Sequence, residues 1–261
     1  MCRVRPQRHL SVGVQNIVIR IAVFQAPYSQ SQDIPTLVGT IRETVVKCER
    51  DGIDILCYPE AFLGGLADQR AGLDVFAIDA QSGELERVLS PVANKSVAVI
   101  IGFTEKGEGA TIYNTAAVYF DGHVVGTYRK LRPAIRHSIY SPGHELPTFC
   151  VKNVKFGIQI CNDSNFTDQA EQLAAYGAKI LFIPSNNALP HDRADIVDRT
   201  RDIDQFLAVK NSIYVARADV TGSTNYHTAC GTSKIVARDG RVIAEASRLE
   251  TCLLRATIHD I

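Results

Sequence analysis

The sequence predicts an α/β protein whose sheet is mixed rather than purely parallel. Apolar periodicity twice gives a strand, helix, strand order, the pattern of parallel pairing. Two Asp-Gly pairs, Asp121-Gly122 and Asp239-Gly240, each lie between alternating apolar runs and predict antiparallel hairpins. In each strand–helix–strand unit one strand runs into a chemically active side chain, Glu60 in the first and Cys161 in the second. In α/β proteins sites collect just beyond the carboxyl ends of strands, so acid and thiol are expected at one edge.

Taken in order, Val18-Ile19-Arg20-Ile21-Ala22-Val23-Phe24 reads as the first strand. Ile34, Leu37, Val38, Ile41, Val45 and Cys48 follow at spacings of three and four, a helix with Asp33 as N-cap and Gly52 as its stop. The apolar run from Ile53 to Tyr58 is the strand that leads to Glu60, and a third strand covers 96–103. Strand 155–160 leads to Cys161, and a helix from Gln169 to Tyr176 is closed by Gly177. Thr167 or Asp168 would cap that helix, directing its positive end toward Cys161 and favouring the thiolate. Lys179-Ile180-Leu181-Phe182-Ile183 completes the second unit. No linker rich in Pro, Gly or Ser interrupts the chain, so residues 17–261 read as one domain. Residues 1–16 read as a disordered leader: Arg3, Arg5, Arg8 and His9 occur there with no acid, a weak likeness to a transit peptide without the apolar core of a secretory signal.

Composition narrows the function classes. A chain of 261 residues can bury roughly three quarters of its unfolded surface, and its 46% hydrophobic and 21% charged content are those of a compact soluble protein. Lys plus Arg number 28 and Asp plus Glu number 28, which gives no net charge to draw nucleic acid or an anionic membrane surface. The longest apolar runs, such as Val97-Ala98-Val99-Ile100-Ile101, fall far short of the about 20 residues of a membrane span. Seven cysteines without a C-x-x-C pair argue against a disulfide framework or a thiolate zinc site and for a reducing cytoplasm. Cys48, Cys57, Cys150 and Cys252 lie in apolar patterns and are expected in the core, whereas Cys161 is followed at once by polar residues. Neither G-x-G-x-x-G nor a P-loop follows any strand, which speaks against a nucleotide site.

Three segments carry the chemistry: Tyr58-Pro59-Glu60-Ala61, Tyr128-Arg129-Lys130-Leu131 and Ile160-Cys161-Asn162-Asp163. A thiol attacks a carbonyl or nitrile carbon as thiolate, so it needs a proton acceptor, for which Glu60 is the candidate. The anion formed in the attack needs positive charge, which Lys130 and the backbone N–H after Cys161 are placed to supply. Two other readings use the same residues. One is a Cys–His hydrolase pairing Cys161 with His137, His191 or His227; the other is a binding or assembly module without catalysis.

These segments resemble the nitrilase superfamily of carbon–nitrogen hydrolases, from about Ile17 to Ile258. Tyr58-Pro59-Glu60 with Phe62-Leu63-Gly64-Gly65 resembles its Pro-Glu block, Tyr128-Arg129-Lys130-Leu131 its Tyr-Arg-Lys block, and Gly157-Ile158-Gln159-Ile160-Cys161-Asn162-Asp163 its cysteine block. Gly231-Thr232-Ser233-Lys234-Ile235-Val236 resembles its late Gly-x-Ser segment. The resemblance implies a four-layer α-β-β-α sandwich that pairs into homodimers or higher homo-oligomers and uses neither metal nor organic cofactor. It implies Glu60 as general base, Lys130 as stabiliser of the tetrahedral intermediate and Cys161 as nucleophile, with a thioester intermediate.

Two departures from the family pattern stand out. Many members carry a second glutamate shortly after the lysine, where this chain has Arg136 and His137; Arg136 could meet a substrate carboxylate there. Phe166-Thr167-Asp168 replaces the family's Phe-Pro-Glu. Asn162 after the cysteine is more similar to amidases and carbamoyl-amide hydrolases than to nitrile-cleaving members, so the implied substrate is a small amide or carbamoyl compound, with nitriles as the alternative. Asn186 and Asn187 match where the family lines its pocket; as plain residues they are equally at home as turn formers.

Overall fold

A computed structural model describes residues 17–29, 33–69, 76–92, 96–134, 138–191, 196–224, 227–259 and 261. The first half of the chain runs β1 (Ile19–Pro27), α1 (Ile34–Arg50), β2 (Ile55–Cys57), α2 (Glu84–Leu89), β3 (Ala98–Lys106), β4 (Ile112–Phe120), β5 (His123–Arg129), β6 (Thr148–Val151) and β7 (Val154–Ile158). The second half runs α3 (Thr167–Ala175), β8 (Ile180–Pro184), β9 (Ala188–Pro190), α4 (Ile196–Asn211), β10 (Tyr214–Ala218), β11 (Val220–Ser223), β12 (His227–Cys230), β13 (Lys234–Val236), β14 (Val242–Glu245) and β15 (Cys252–Ile258).

Among the described residues these strands form two sheets. One has the order β5-β4-β3-β2-β1-β11-β12-β9 with β15 also on β1, and the other β14-β13-β10-β8-β7-β6. Both are mixed: β1 pairs parallel with β2 and antiparallel with β15, while β10 pairs parallel with β8 and antiparallel with β13. Strand alternation builds the layers, because successive side chains face opposite sides of a sheet. Ile21 and Val23 meet Ile158, Ile180, Phe182 and Ala216 between the sheets. Their neighbours Ala22 and Phe24 face outward onto Leu37, Val38, Ile41 and Val45 of α1. On the opposite side Leu181, Ile183, Val215 and Val236 pack against Leu173 of α3 and Leu207 of α4. The result is a four-layer α-β-β-α sandwich.

Local sequence explains the element ends. The Asp33 carboxylate accepts from the Thr36 N–H at 3.3 Å and caps α1, and Gly52 turns the chain out of the helix at φ +66°. Asp121-Gly122 joins β4 to β5 with positive φ at both residues, 49° and 81°, the turn that matches strand twist. Asp239-Gly240 likewise joins the antiparallel pair β13 and β14. Strand limits differ from the sequence reading by a few residues, and two expectations are corrected outright. Phe166 is the N-cap of α3, without a side-chain cap, and Thr167 and Asp168 lie inside its first turn. A 3-10 turn over Cys161–Asn165 separates the cysteine from that helix. Cys48 and Cys57 are buried, but Cys150 is exposed and Cys252 half-buried, because Phe149 and Val151 take the inward positions of β6. The basic leader, Arg136 and His137 lie outside the described residues.

Candidate active site

The site forms where the two sheets are sewn together. After β2 the chain turns at Ala61, with φ 48°, and the Glu60 N–H donates to the carbonyl of Ser185, the residue after β8. Gly102 of β3 permits this turn: a Cβ there would lie 2.5 Å from the Ala61 nitrogen and 2.7 Å from the Pro59 carbonyl oxygen. After β10 the chain passes from one sheet to the other at Asp219, directly before β11. The polar residues at this seam are enclosed by both sheets, so their hydrogen bonds are made within the protein.

Glu60 is 2% exposed and its carboxylate is held from three sides. Oε1 accepts from Lys130 Nζ at 2.5 Å and from Asn114 Nδ2 at 2.7 Å, and Oε2 accepts from the Asn186 N–H at 3.0 Å. Burial alone would lower the pKa of the Lys130 ammonium, but Glu60, then Cys161 and Asp163, outweigh it and raise it above its ordinary value. Lys130 is therefore a fixed cation at neutral pH.

Cys161 follows Ile160 at φ 46°, in the left-handed region that side chains rarely adopt. Its thiol donates to Asn187 Oδ1 at 3.6 Å. Burial and then Glu60 push the thiol pKa up to about 12, with Lys130, Arg217 and the Asn186 backbone pulling it back. The resting group is thus a neutral thiol rather than the thiolate expected from a helix terminus. Ultraviolet absorbance from a Cys161 thiolate, measured as the difference between the parent and Cys161→Ser, should be absent at neutral pH. A thiolate band there would contradict this ordering of charges.

Each of these segments has a geometric task. In Tyr128-Arg129-Lys130, Tyr128 donates from its hydroxyl to Asp163 Oδ2 at 2.7 Å, Arg129 grips Glu105 at 2.9 and 2.7 Å, and Lys130 meets Glu60. Asp163 also accepts from the Ile160 N–H at 3.0 Å and the Arg132 N–H at 2.8 Å, tying the cysteine turn to the lysine loop. Asn187 Nδ2 donates to Asp219 Oδ2 at 2.9 Å and to Thr232 Oγ1 at 3.2 Å. Asp219 in turn accepts from the backbone N–H groups of Asn187, Val220 and Thr232. With its NH2 engaged, Asn187 turns its carbonyl oxygen toward the thiol. The Gly231-Thr232-Ser233 segment therefore acts through Asp219.

Glu60, Lys130 and Cys161 border one cavity of about 480 Å3, together with Asn162, Asn186 and Asn187. That volume is in the range of small-molecule sites. The Asn162 side chain is engaged within its own loop, Nδ2 donating to the Arg132 carbonyl at 3.1 Å and Oδ1 accepting from Asn165 Nδ2 at 3.1 Å. Asn186 gives its backbone N–H to Glu60, while its Oδ1 accepts from the Ala188 N–H at 3.4 Å. His227 borders the cavity and contacts the Tyr28 ring, and His191 Nδ1 pairs with Thr228 Oγ1 at 2.7 Å; the thiol's partner is Asn187. No group of three or more His, Cys, Asp or Glu side chains able to hold a metal ion occurs among the described residues, and none of their helices is long and apolar enough to cross a membrane.

Sequence reasoning missed Asn114, Asp219 and the buried pair Arg217–Asp204. Two of them leave a signal. In Ile213-Tyr214-Val215-Ala216-Arg217-Ala218-Asp219-Val220 two charges interrupt an apolar strand run, and a charge inside a buried strand needs a buried partner.

Four such layers with a thiol, a carboxylate and an ammonium around one cavity define an α-β-β-α hydrolase. The chain belongs to the carbon–nitrogen hydrolase family, whose model matches residues 20–260. It is 30% identical over 246 residues to a protein described as "Hydrolase in pqqF 5′ region" from Pseudomonas protegens, covering 92% of this chain and 82% of that one. It is 28% identical over 211 residues to an (R)-stereoselective amidase from a Pseudomonas species, covering 79% and 73%. Among solved structures it overlays, with a TM-score of 0.76 and 21% identity, on a mutant amidase from Nesterenkonia sp. AN1, covering 91% of this chain and 92% of that one. That structure shows the result of Michael addition of acrylamide at the active-site cysteine.

Proposed function

We propose that the chain hydrolyses a small amide or N-carbamoyl amide through a thioester on Cys161. The observation that carries this reading is the shared cavity of about 480 Å3 onto which Cys161, Glu60 and Lys130 converge. In acylation the thiol proton passes to Glu60 as sulfur bonds to the amide carbon. The oxygen of the tetrahedral intermediate becomes an anion, and the Lys130 ammonium neutralises it without reorganising. Glu60 returns its proton to the nitrogen, the C–N bond breaks, and ammonia or an amine leaves. In deacylation Glu60 takes a proton from water as its oxygen bonds to the thioester carbon; the C–S bond then breaks and sulfur recovers the proton.

An amide is favoured over a nitrile by Asn187. Its Oδ1 is an acceptor held beside the thiol, and an amide nitrogen offers hydrogens to it where a nitrile offers none. Leu66, Pro133, Ala134, Tyr140, Leu189 and Pro190 line much of the remaining wall, which suits an uncharged, largely apolar acyl group. The solved amidase mutant with acrylamide on its active-site cysteine supports assigning the nucleophile to Cys161.

The test is intact-mass measurement during turnover across a library of amides, ureas and nitriles, with peptide mapping of any adduct. The expected result is an acyl increment on the peptide bearing Cys161 with amides of apolar acids. Turnover with no adduct there would overturn the thioester, and an unreactive thiol with no turnover would favour the binding-module reading.

A further inference from the structure

A second cavity, of about 120 Å3, also has Glu60 in its wall. Its wall includes Leu37 and Thr40 of α1, Ser29 beyond β1, and Val220 at the start of β11. Glu60 and Asn186 border both this chamber and the main cavity. These two shared residues are joined by the Asn186 N–H bond to Glu60 Oε2.

Lone-pair accounting singles out one oxygen. A carboxylate has about four acceptor sites, two on each oxygen. Among the described residues Lys130 and Asn114 occupy Oε1, whereas Oε2 accepts only from Asn186. Oε2 is thus the oxygen with room for another donor. By the proposed route the acyl group fills the main cavity once the thioester has formed, while Glu60 still has to find a water.

We propose that the second chamber holds and delivers the water that deacylates Cys161; this rests on the thioester reading given above. A water needs roughly 10–15 Å3 by this measure and two to four polar partners. The chamber has space for several waters, and Glu60 and Thr40 supply oxygens. Thr40 Oγ1 donates to the Thr36 carbonyl at 3.2 Å and keeps its lone pairs to accept from water. Ser29 is exposed, so the chamber meets the surface at that end. The water enters from this side, gives one proton to Glu60 Oε2 and bonds through oxygen to the thioester carbon. The C–S bond then breaks and the proton moves to sulfur, leaving a carboxylic acid.

The test separates acylation from deacylation. Thr40→Leu fills the chamber and removes the hydroxyl, and Thr40→Val removes the hydroxyl alone. Rapid-quench measurement of the first amine released, steady-state kcat and the intact-mass fraction of thioester are compared with the parent. The expected result for Thr40→Leu is an unchanged first turnover, a kcat lower by about tenfold, and a thioester that accumulates; Thr40→Val should show the same signature more weakly. Ser29→Val at the rim provides the same reading should Thr40→Leu fold poorly. A thioester fraction and kcat equal to the parent's would overturn the proposal, as would equal loss of acylation and turnover. If the parent itself forms no adduct on Cys161, the thioester reading fails first, whatever the Thr40 variants do.

Discussion

Glu60→Gln is expected to lower turnover by about a thousandfold, within the range that proton transfer by a positioned side chain contributes. The substitution keeps the shape and removes the proton acceptor, which matters here because the thiol pKa is pushed up to about 12. Without an acceptor the thiol stays protonated at neutral pH, so the first amine released in a single turnover should slow as much as kcat does. A second effect follows from the donors around the group. Lys130 and Asn114 donate to Oε1 and the Asn186 N–H donates to Oε2, so a glutamine amide must turn its NH2 toward one set or the other. Leaving a buried donor without an acceptor costs about 1–3 kcal/mol. The denaturant midpoint should fall accordingly, with an unchanged slope if the transition remains two-state. Lys130 would also lose the anion that raises its pKa against the opposing effect of burial. Turnover within about tenfold of the parent would remove Glu60 from the role of general base.

Many of the strands, helices and hairpins could be read from the sequence because their signals are local, whereas their stacking into four layers was implied by the family resemblance. Asp33 before a helical spacing, Gly52 after it and Asp-Gly between alternating runs each act within a few residues. Glu60 and Cys161 were legible for a related reason: each follows an apolar run that has to be a strand. The arrangement around them was not. Asp219 acquires its role from Asn187 and Thr232, which reach it from separate segments and only after the two sheets have been joined. Asn114 reads as one polar residue in Ile112-Tyr113-Asn114-Thr115-Ala116, with nothing to announce that its NH2 grips Glu60. The α3 cap was misread because Thr167 and Asp168 are good capping residues by type. The 3-10 turn over 161–165 instead places Phe166 at the start of the helix, so the thiol's neighbours are the charges of Glu60, Lys130 and Arg217. Burial of the thiol first, and then Glu60, turn its pKa in the direction opposite to the one expected from a helix terminus.

Arg217→Leu is expected to destabilise the protein by about 3–5 kcal/mol, the usual penalty for leaving one member of a buried ion pair without the other. Arg217 and Asp204 are 1% and 0% exposed, and the guanidinium grips the carboxylate at 2.8 and 2.5 Å. Both lie on the helix-facing side of the second sheet, where Val215 and Leu207 pack together. After the substitution Lys234, at 3.7 Å, is still a cation close to Asp204. Function should suffer separately from stability. Arg217 also donates to Ser185 Oγ at 2.6 Å and to Ser164 Oγ at 3.1 Å, so it joins the loop that meets Glu60 to the turn that carries Cys161. It is one of the cations that pull the thiol pKa down, and its loss would make the thiol harder to ionise. The double variant Arg217→Leu with Asp204→Leu distinguishes the two effects, because replacing a buried ion pair by apolar groups is often neutral. It should be more stable than Arg217→Leu alone and yet remain as slow in acylation. A double variant that regains full acylation would confine the pair to holding the fold, and one less stable than the single would show that Asp204 is satisfied without Arg217.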